Sequence, residues 1–364
     1  MSIYIHIPFC NKICSYCDFC KMLYYKKWVN SYLEELKKEI EKEYKQDTIK
    51  TLYIGGGTPS SLSIKELEIL FKIINQIKLD NTYEFTFECN IDDLDEEKLK
   101  LLFKNKVNRL SIGVQTFNKN HLKILNRNHN YKEVAETINL AKTIGFNNIN
   151  VDLIYAIPNQ TIKELKEDLD LFTSLNIEHI STYSLMIEPH TRLYINKTEQ
   201  IDEDLDYEMY NYIINYLKNK GFNHYEISNF AKKNKESKHN LTYWNNENYY
   251  GFGLGASGYI NKTRYDNVKS LNKYLNGIYK LNEEILDKNK TIENELILGF
   301  RKMEGINIDA FNNKYNIDIL SNKIIQKLIK ERKLINENNY IYIKPEYIYI
   351  SNDILVNFIG ETYE

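Results

Sequence analysis

Three cysteines, Cys10, Cys14 and Cys17, stand in a CxxxCxxC spacing just beyond the apolar run 3–7, and this loop constrains the chain more than any other feature. A [4Fe–4S] cluster ordinarily takes four thiolates, so a loop that supplies three leaves one iron open to another ligand. An open iron is a place where chemistry can occur. Two other uses of these thiols compete with that one. Zinc sites commonly pair two separated CxxC knuckles, and the sequence has no second knuckle. Cys14, Cys17 and Cys20 also form the C-x2-C-x2-C run of a bacterial ferredoxin, so a purely electron-carrying cluster using Cys20 stays open. What separates the readings is whether the rest of the chain builds a site around the open iron.

With 364 residues, the chain exceeds the size at which one core usually keeps growing, and a large domain plus a smaller one is expected. Its 48 basic and 50 acidic residues give a net charge of −2, which argues against a nucleic-acid partner needing a basic face. The 30 tyrosines accompany abundant Lys, Asn and Ile, a compositional bias rather than a stacking surface. Residues 1–8 have neither a basic start nor a signal-type apolar stretch, and 248–261 is too short and polar to span a bilayer. A cytoplasmic protein without an integral membrane segment is expected. Clustered cysteines in that reducing compartment point to metal rather than disulfides.

Short β-rich runs alternate with helical patterns over the first half, the pattern of a parallel sheet with crossover helices. Strands are expected at 3–7, 51–54, 83–89, 109–113, 148–154 and 179–185, and helices at 28–44, 64–76, 131–144 and 161–175. In the last of these Ile162, Leu165, Leu169 and Phe172 repeat at the spacing of one buried helical face. The six strand–helix units make a partial (β/α)6 barrel of the α/β class, spanning 1–220 with a closing helix at 202–220. An aromatic, Gly-rich extension follows at 221–273. A smaller C-terminal domain at 274–364 carries helices at 293–303 and 319–332 and ends in the alternating run 340–350, expected to form a hairpin or paired strands.

Catalytic groups of a parallel barrel sit where strands end. The cysteine loop follows the first strand and Gly55-Gly56-Gly57-Thr58 the second; Glu88 closes the third, Gln115 lies past the fourth and Asp152 near the end of the fifth. These groups converge on one rim and suit a zwitterionic nucleoside: glycines admit close backbone approach, carboxylates accept from hydroxyls or an ammonium, and Arg127 can clamp a carboxylate.

The cysteine spacing with Asp18-Phe19 resembles the cluster loop of radical S-adenosylmethionine (SAM) enzymes, in which SAM chelates the open iron and is cleaved by one electron from the cluster. Four runs carry a more specific resemblance: Tyr4-Ile5-His6-Ile7-Pro8-Phe9-Cys10, Gly-Gly-Gly-Thr-Pro at 55–59, Arg109-Leu110-Ser111-Ile112-Gly113-Val114-Gln115 and Asn150-Val151-Asp152-Leu153-Ile154. They are similar to the oxygen-independent coproporphyrinogen III oxidase family, over almost the whole length. The resemblance implies a TIM-like partial barrel with an added α+β domain, cluster ligation by Cys10, Cys14 and Cys17, and SAM contacts at Tyr4, Tyr16, Phe19, Gly56, Gly57, Thr58, Glu88, Gln115, Arg127, Asp152 and Met186.

That family contains oxidases, which convert two propionates to vinyl groups with SAM as oxidant, and haem chaperones. Oxidases carry a long segment before the cluster loop, whereas nine residues precede Cys10, and they have a cysteine where this chain has Phe19. His239-Asn240-Leu241-Thr242-Tyr243-Trp244 matches the HNxxYW motif of the chaperone branch, HemW, where it is associated with haem. The resemblance implies haem as cargo, contacts at His239, Asn240, Tyr243 and Trp244 with Tyr249 and Tyr250 nearby, an acceptor protein, and an electron donor of flavodoxin or ferredoxin type. Peripheral contact with membrane-bound acceptors is compatible with it. His6, His190 and His224 are weaker candidates for the haem iron. The expectation is therefore a haem chaperone, with the oxidase and a ferredoxin-like carrier as alternatives.

Overall fold

A computed structural model describes residues 1–363. Its centre is a run of six parallel strands, β1 (Ser2–Ile7), β2 (Ile49–Gly56), β3 (Leu79–Asn90), β4 (Arg109–Gln115), β5 (Ile149–Tyr155) and β6 (His179–Ser184), hydrogen-bonded in that order. Registers such as Ser2↔Thr51, Glu88↔Ser111 and Asp152↔Ser181 bring equivalent levels of the barrel together. Parallel strands buried on both faces read as nearly continuous apolar runs, which is why all six were legible.

The crossover helices form where amphipathic runs meet cap residues. Ser63 opens α1 (Ile64–Ile74), Asn130 opens α2 (Tyr131–Ile144) and Thr161 opens α3 (Ile162–Ser174), each with a capping box to a glutamate at the third helical position. The predicted face of α3 is buried through Leu165, Leu169 and Phe172. Leu52, Ile54, Leu110, Ile112, Val151 and Leu153 complete this apolar layer, each fully buried.

The extension departs from the expected irregular segment. Its strands β7 (Asn223–Glu226) and β8 (Asn229–Ala231) continue the sheet antiparallel beyond β6. At the other edge, β9 (Tyr249–Phe252) adds parallel to β1, and β10 (Ser257–Ile260), β11 (Thr263–Asn267) and β12 (Lys280–Ile285) follow antiparallel. One 12-stranded sheet results. Residues 280–285, expected in the C-terminal domain, thus belong to the main sheet. The open edges of β1 and β6 supply hydrogen-bond partners that local sequence does not reveal.

The smaller C-terminal unit packs helices Lys288–Gly299, Ile308–Tyr315 and Lys323–Lys330 with a three-stranded sheet. The run 340–350 is not a hairpin by itself. Tyr340–Ile343 pairs with Leu334–Glu337 across Asn338-Asn339, both at positive φ as a two-residue hairpin turn requires, and Pro345 ends the strand. No helix among the described residues is long and apolar enough to cross a membrane.

Candidate functional site

The cysteine loop is folded by its own backbone and anchored by three neighbours. Phe9 and Cys10 pair with Met22 and Leu23, so residues 11–21 close into a compact excursion. Leu125 accepts from the Ser15 amide at 3.2 Å, Leu193 donates to the Ser15 carbonyl at 3.0 Å, and Asn126 Nδ2 donates to the Ile13 carbonyl at 2.8 Å. Below the loop, the amides of Gly57 and Thr58 donate to the carbonyls of Ile7 and Phe9 at 2.9 and 2.8 Å. A Cβ at Gly57 would stand 2.7 Å from the Pro8 carbonyl and 3.0 Å from Cys10 Sγ, so only glycine lets the second loop come this close.

Cys10, Cys14 and Cys17 are unbridged and border one cavity of about 450 Å³. Cys20 does not line it: its backbone carbonyl holds His6 Nε2 at 2.7 Å. Cys89 borders the cavity, but its thiol is directed to the Phe87 carbonyl at 3.6 Å. No group of three or more His, Cys, Asp or Glu side chains among the described residues closes on a single metal ion. The three thiols border a cavity much larger than a single ion needs, and a [4Fe–4S] cluster held by three thiolates would leave one iron facing that space.

Ten of the eleven expected SAM contacts line this cavity: Tyr16, Phe19, Gly56, Gly57, Thr58, Glu88, Gln115, Arg127, Asp152 and Met186. Phe19 and Met186 form an exposed lip, each 65% accessible. Tyr4 is the exception. It lies deeper, with its hydroxyl 3.0 Å from His6 Nδ1 and its ring near Tyr53 and His239.

The wall is polar and ordered. Arg127 donates to Asn90 Oδ1 at 2.7 Å, to the Gly113 carbonyl at 3.3 Å and to the Tyr16 hydroxyl at 3.2 Å. With its amide oxygen turned to them, Gln115 accepts from Arg127 and Tyr16 at 3.3 Å. Glu88 accepts from the Tyr53 hydroxyl at 2.6 Å and the Gly56 amide at 3.0 Å, and burial pushes its carboxyl up to about 7. Burial also raises Asp152, which accepts from Asn150 Nδ2 at 2.8 Å. Such a wall can hold a ligand that carries an ammonium, hydroxyls and a carboxylate together.

Sequence reasoning missed Tyr53, Asn90, Arg109, Ser111, Asn150, Ser181 and Tyr183, which also line the cavity. The signal was present as polar residues at every second strand position, such as Arg109, Ser111 and Gln115 of β4, between the buried Leu110, Ile112 and Val114.

The HNxxYW motif occupies a different place from the one expected. It forms α4 (Lys238–Trp244), capped by Ser237, which closes the barrel at its lower end. Glu84 accepts from the Lys238 and His239 amides at 3.1 Å each, and Ser2 Oγ lies 2.9 Å from Thr242 Oγ1. His239 is 1% exposed, stacked on Tyr53, with Nδ1 2.8 Å from Thr51 Oγ1 and Nε2 2.8 Å from the Tyr243 hydroxyl. Both ring nitrogens are engaged, and burial pushes its pKa down to about 3. The expectation that His239 offers a nitrogen to haem iron is therefore corrected: it is a neutral interior group.

Tyr243 packs edge-on against Tyr249, Tyr250 donates to Asp47 at 2.6 Å, and Trp244 lies beneath the Arg301 guanidinium; Tyr250 is buried, and Tyr243, Trp244 and Tyr249 are half-buried. Asn240 reaches the cavity floor. His6 is buried with both nitrogens in hydrogen bonds, and His224 stacks on Phe230 at 4.4 Å. His190 is exposed, on the loop after β6.

Residues 4–172 match the family profile of the radical SAM superfamily. The chain is 41% identical to a protein of Lactococcus lactis named Heme chaperone HemW, covering 98% of this chain and 97% of that one. It is 40% identical to the protein of that name from Bacillus subtilis, covering 99% of each. In structure it superposes on coproporphyrinogen III oxidase (HemN) from Escherichia coli with a TM-score of 0.87 at 21% identity, over 99% of this chain and 90% of that one. The fold is thus shared with that oxidase, while the sequence kinship runs to the HemW proteins. With its three-cysteine loop at the head of a parallel barrel and its full-length identity to those relatives, the chain belongs to the radical SAM superfamily and, within it, to the HemW family.

Proposed function

We propose that this protein is a haem chaperone on a radical SAM scaffold. It holds a [4Fe–4S] cluster through Cys10, Cys14 and Cys17, binds SAM in the adjoining cavity, and passes haem to an acceptor protein. The observation that carries this reading is the 40–41% identity, along practically the whole chain, to two proteins named as haem chaperones. The cluster, when bound, supplies one-electron chemistry and a site for SAM's amino and carboxylate groups. The protein's own residues do the rest. Gly56, Gly57 and Thr58 admit the ligand close to the loop, Arg127 and Asp152 orient it, and the apolar lip of Phe19 and Met186 borders the mouth. The donor that reduces the cluster is of flavodoxin or ferredoxin type, and the setting is the cytoplasm.

SAM added to the reduced, cluster-loaded protein is expected to shift its electron paramagnetic resonance signal. Arg127→Ala and Asp152→Ala each remove a charged hydrogen-bonding partner, worth about 1.5–3 kcal/mol. Either should therefore demand at least tenfold more SAM for the same shift. An unchanged signal at saturating SAM in the wild type would remove the SAM site.

Haem and coproporphyrinogen III, offered separately to the reconstituted protein with SAM, distinguish chaperone from oxidase. Haem is expected to bind at about one per chain with a Soret shift, and coproporphyrinogen III to remain unconverted. Turnover to protoporphyrinogen IX at an ordinary enzymatic rate, roughly 1 s⁻¹ or more, would overturn the assignment. His190 is an exposed imidazole on the loop that also carries Met186, free of the hydrogen bonds that occupy His239. Accordingly His190→Ala should alter the Soret band.

A further inference from the structure

Barrels of this kind ordinarily fill their interior with branched apolar side chains, yet the lower interior here is polar and open to the cavity. Arg109 opens β4 and Gln115 closes it, so the two stand about 20 Å apart along the strand at ~3.3 Å per residue. The SAM contacts account for the upper level down to Glu88, which stands opposite Ser111 in register. Nothing in that reading uses Arg109.

Arg109 is 2% exposed, lines the cavity, and its Nε has no hydrogen-bond partner among the described residues. Glu88 and Asp152 feel its charge through space, but their hydrogen bonds go to Tyr53, Gly56 and Asn150. A buried charge without a close partner is costly, and a guanidinium fork matches a carboxylate in bidentate geometry.

The surroundings supply further donors. Asn150 Nδ2 donates to Ser111 Oγ at 2.9 Å, which leaves the Ser111 hydroxyl hydrogen free to donate into the cavity. Asn150 Oδ1 is itself held by His179 Nδ1 at 2.6 Å and Ser181 Oγ at 3.1 Å, so this arrangement is rigid before any ligand arrives. Asn240 of the HNxxYW helix closes the floor.

We propose that the floor of the barrel cavity is a binding site for the carboxylate of a small organic acid, seated on Arg109 and Ser111. The site goes beyond the haem-chaperone reading and does not depend on it. The motif helix thereby acquires a role in closing a ligand pocket from below.

Sodium propionate titrated calorimetrically into the reconstituted full-length protein tests this, with sulfate and chloride at matched ionic strength. Propionate is expected to saturate one site per chain. Arg109→Gln should weaken it at least tenfold, in line with a charged hydrogen bond of about 1.5–3 kcal/mol, and Ser111→Ala several-fold. Should Arg109→Gln not fold, Arg109→Lys keeps the charge without the fork and should weaken propionate several-fold. Chloride or sulfate binding as well as propionate, or undiminished binding in the folded variants, would overturn the site. A haem arm identifies the carboxylate's source: displacement of propionate by haem assigns it to a porphyrin propionate, and independent binding to a separate acid. Haem binding in Arg109→Gln is measured in parallel, so failure of this site and failure of the chaperone reading are told apart.

Discussion

Replacing Cys10, Cys14 or Cys17 by serine is expected to strip most of the iron from the anaerobically reconstituted protein, from about four irons per chain to less than one. In the proposed site each of these thiols supports one corner of a cluster that has no fourth protein ligand, so losing one would leave two. Cys10 is the most constrained of the three, fixed by Thr58 Oγ1 donating to its Sγ at 3.4 Å and by the Gly57 backbone beneath it. Its thiol is pushed up to about 11 by burial when no iron is present, so ligation itself must draw off the proton. Cys20→Ser and Cys89→Ser should keep their iron. Cys20 packs toward Gly255 with its carbonyl on His6, and Cys89 is directed to Phe87. Iron and acid-labile sulfide analysis with the visible absorption band reads the outcome, and loss of the cluster in Cys20→Ser would instead support a ferredoxin-type four-thiolate cluster.

His239→Ala is expected to destabilise the fold by roughly 2–4 kcal/mol while leaving haem stoichiometry in the folded variant unchanged. The substitution removes a stacked ring from the interior and leaves the Thr51 hydroxyl and the Tyr243 hydroxyl without their partner. Unsatisfied buried groups cost about 1–3 kcal/mol each, and the vacated volume adds to that. Denaturant unfolding measures the loss. Its pH dependence carries a sign: the folded imidazole is held down to about 3 against 6.5 for a free histidine. Between those values the unfolded chain takes up a proton that the folded one refuses, so wild-type stability falls as pH drops through 6.5 toward 3. The gap between wild type and His239→Ala should therefore narrow steadily over that window. Intact stability together with lost haem binding would restore His239 as a direct ligand.

The six barrel strands and the site on their ends were legible because their signals are local. A doubly buried parallel strand needs apolar residues along its length, and the loops after such strands face one rim, so sequence alone brings Cys10, Gly57, Gln115 and Asp152 together. Strands 249–252, 257–260, 263–267 and 280–285 were not legible. Their aromatic and glycine residues follow no clean alternation, and they become strands only because β1 offers an unpaired edge at Ser2–Ile5, opposite Tyr249–Phe252.

The histidine motif divides the two kinds of information most sharply. Its pattern shows that an imidazole and aromatic rings stand together. Whether that imidazole faces a ligand or the interior depends on Thr51, 188 residues earlier in the chain, and on the Tyr53 ring two positions beyond it. The same holds for Arg109, unremarkable within its motif until the fold buries it without a partner. Sequence by itself determined the family, the barrel and the cluster loop, since periodicity and spacing act over a few residues. Only tertiary structure decided which polar groups are satisfied and which still await a ligand, because hydrogen-bond satisfaction is settled between strands and helices far apart in the chain.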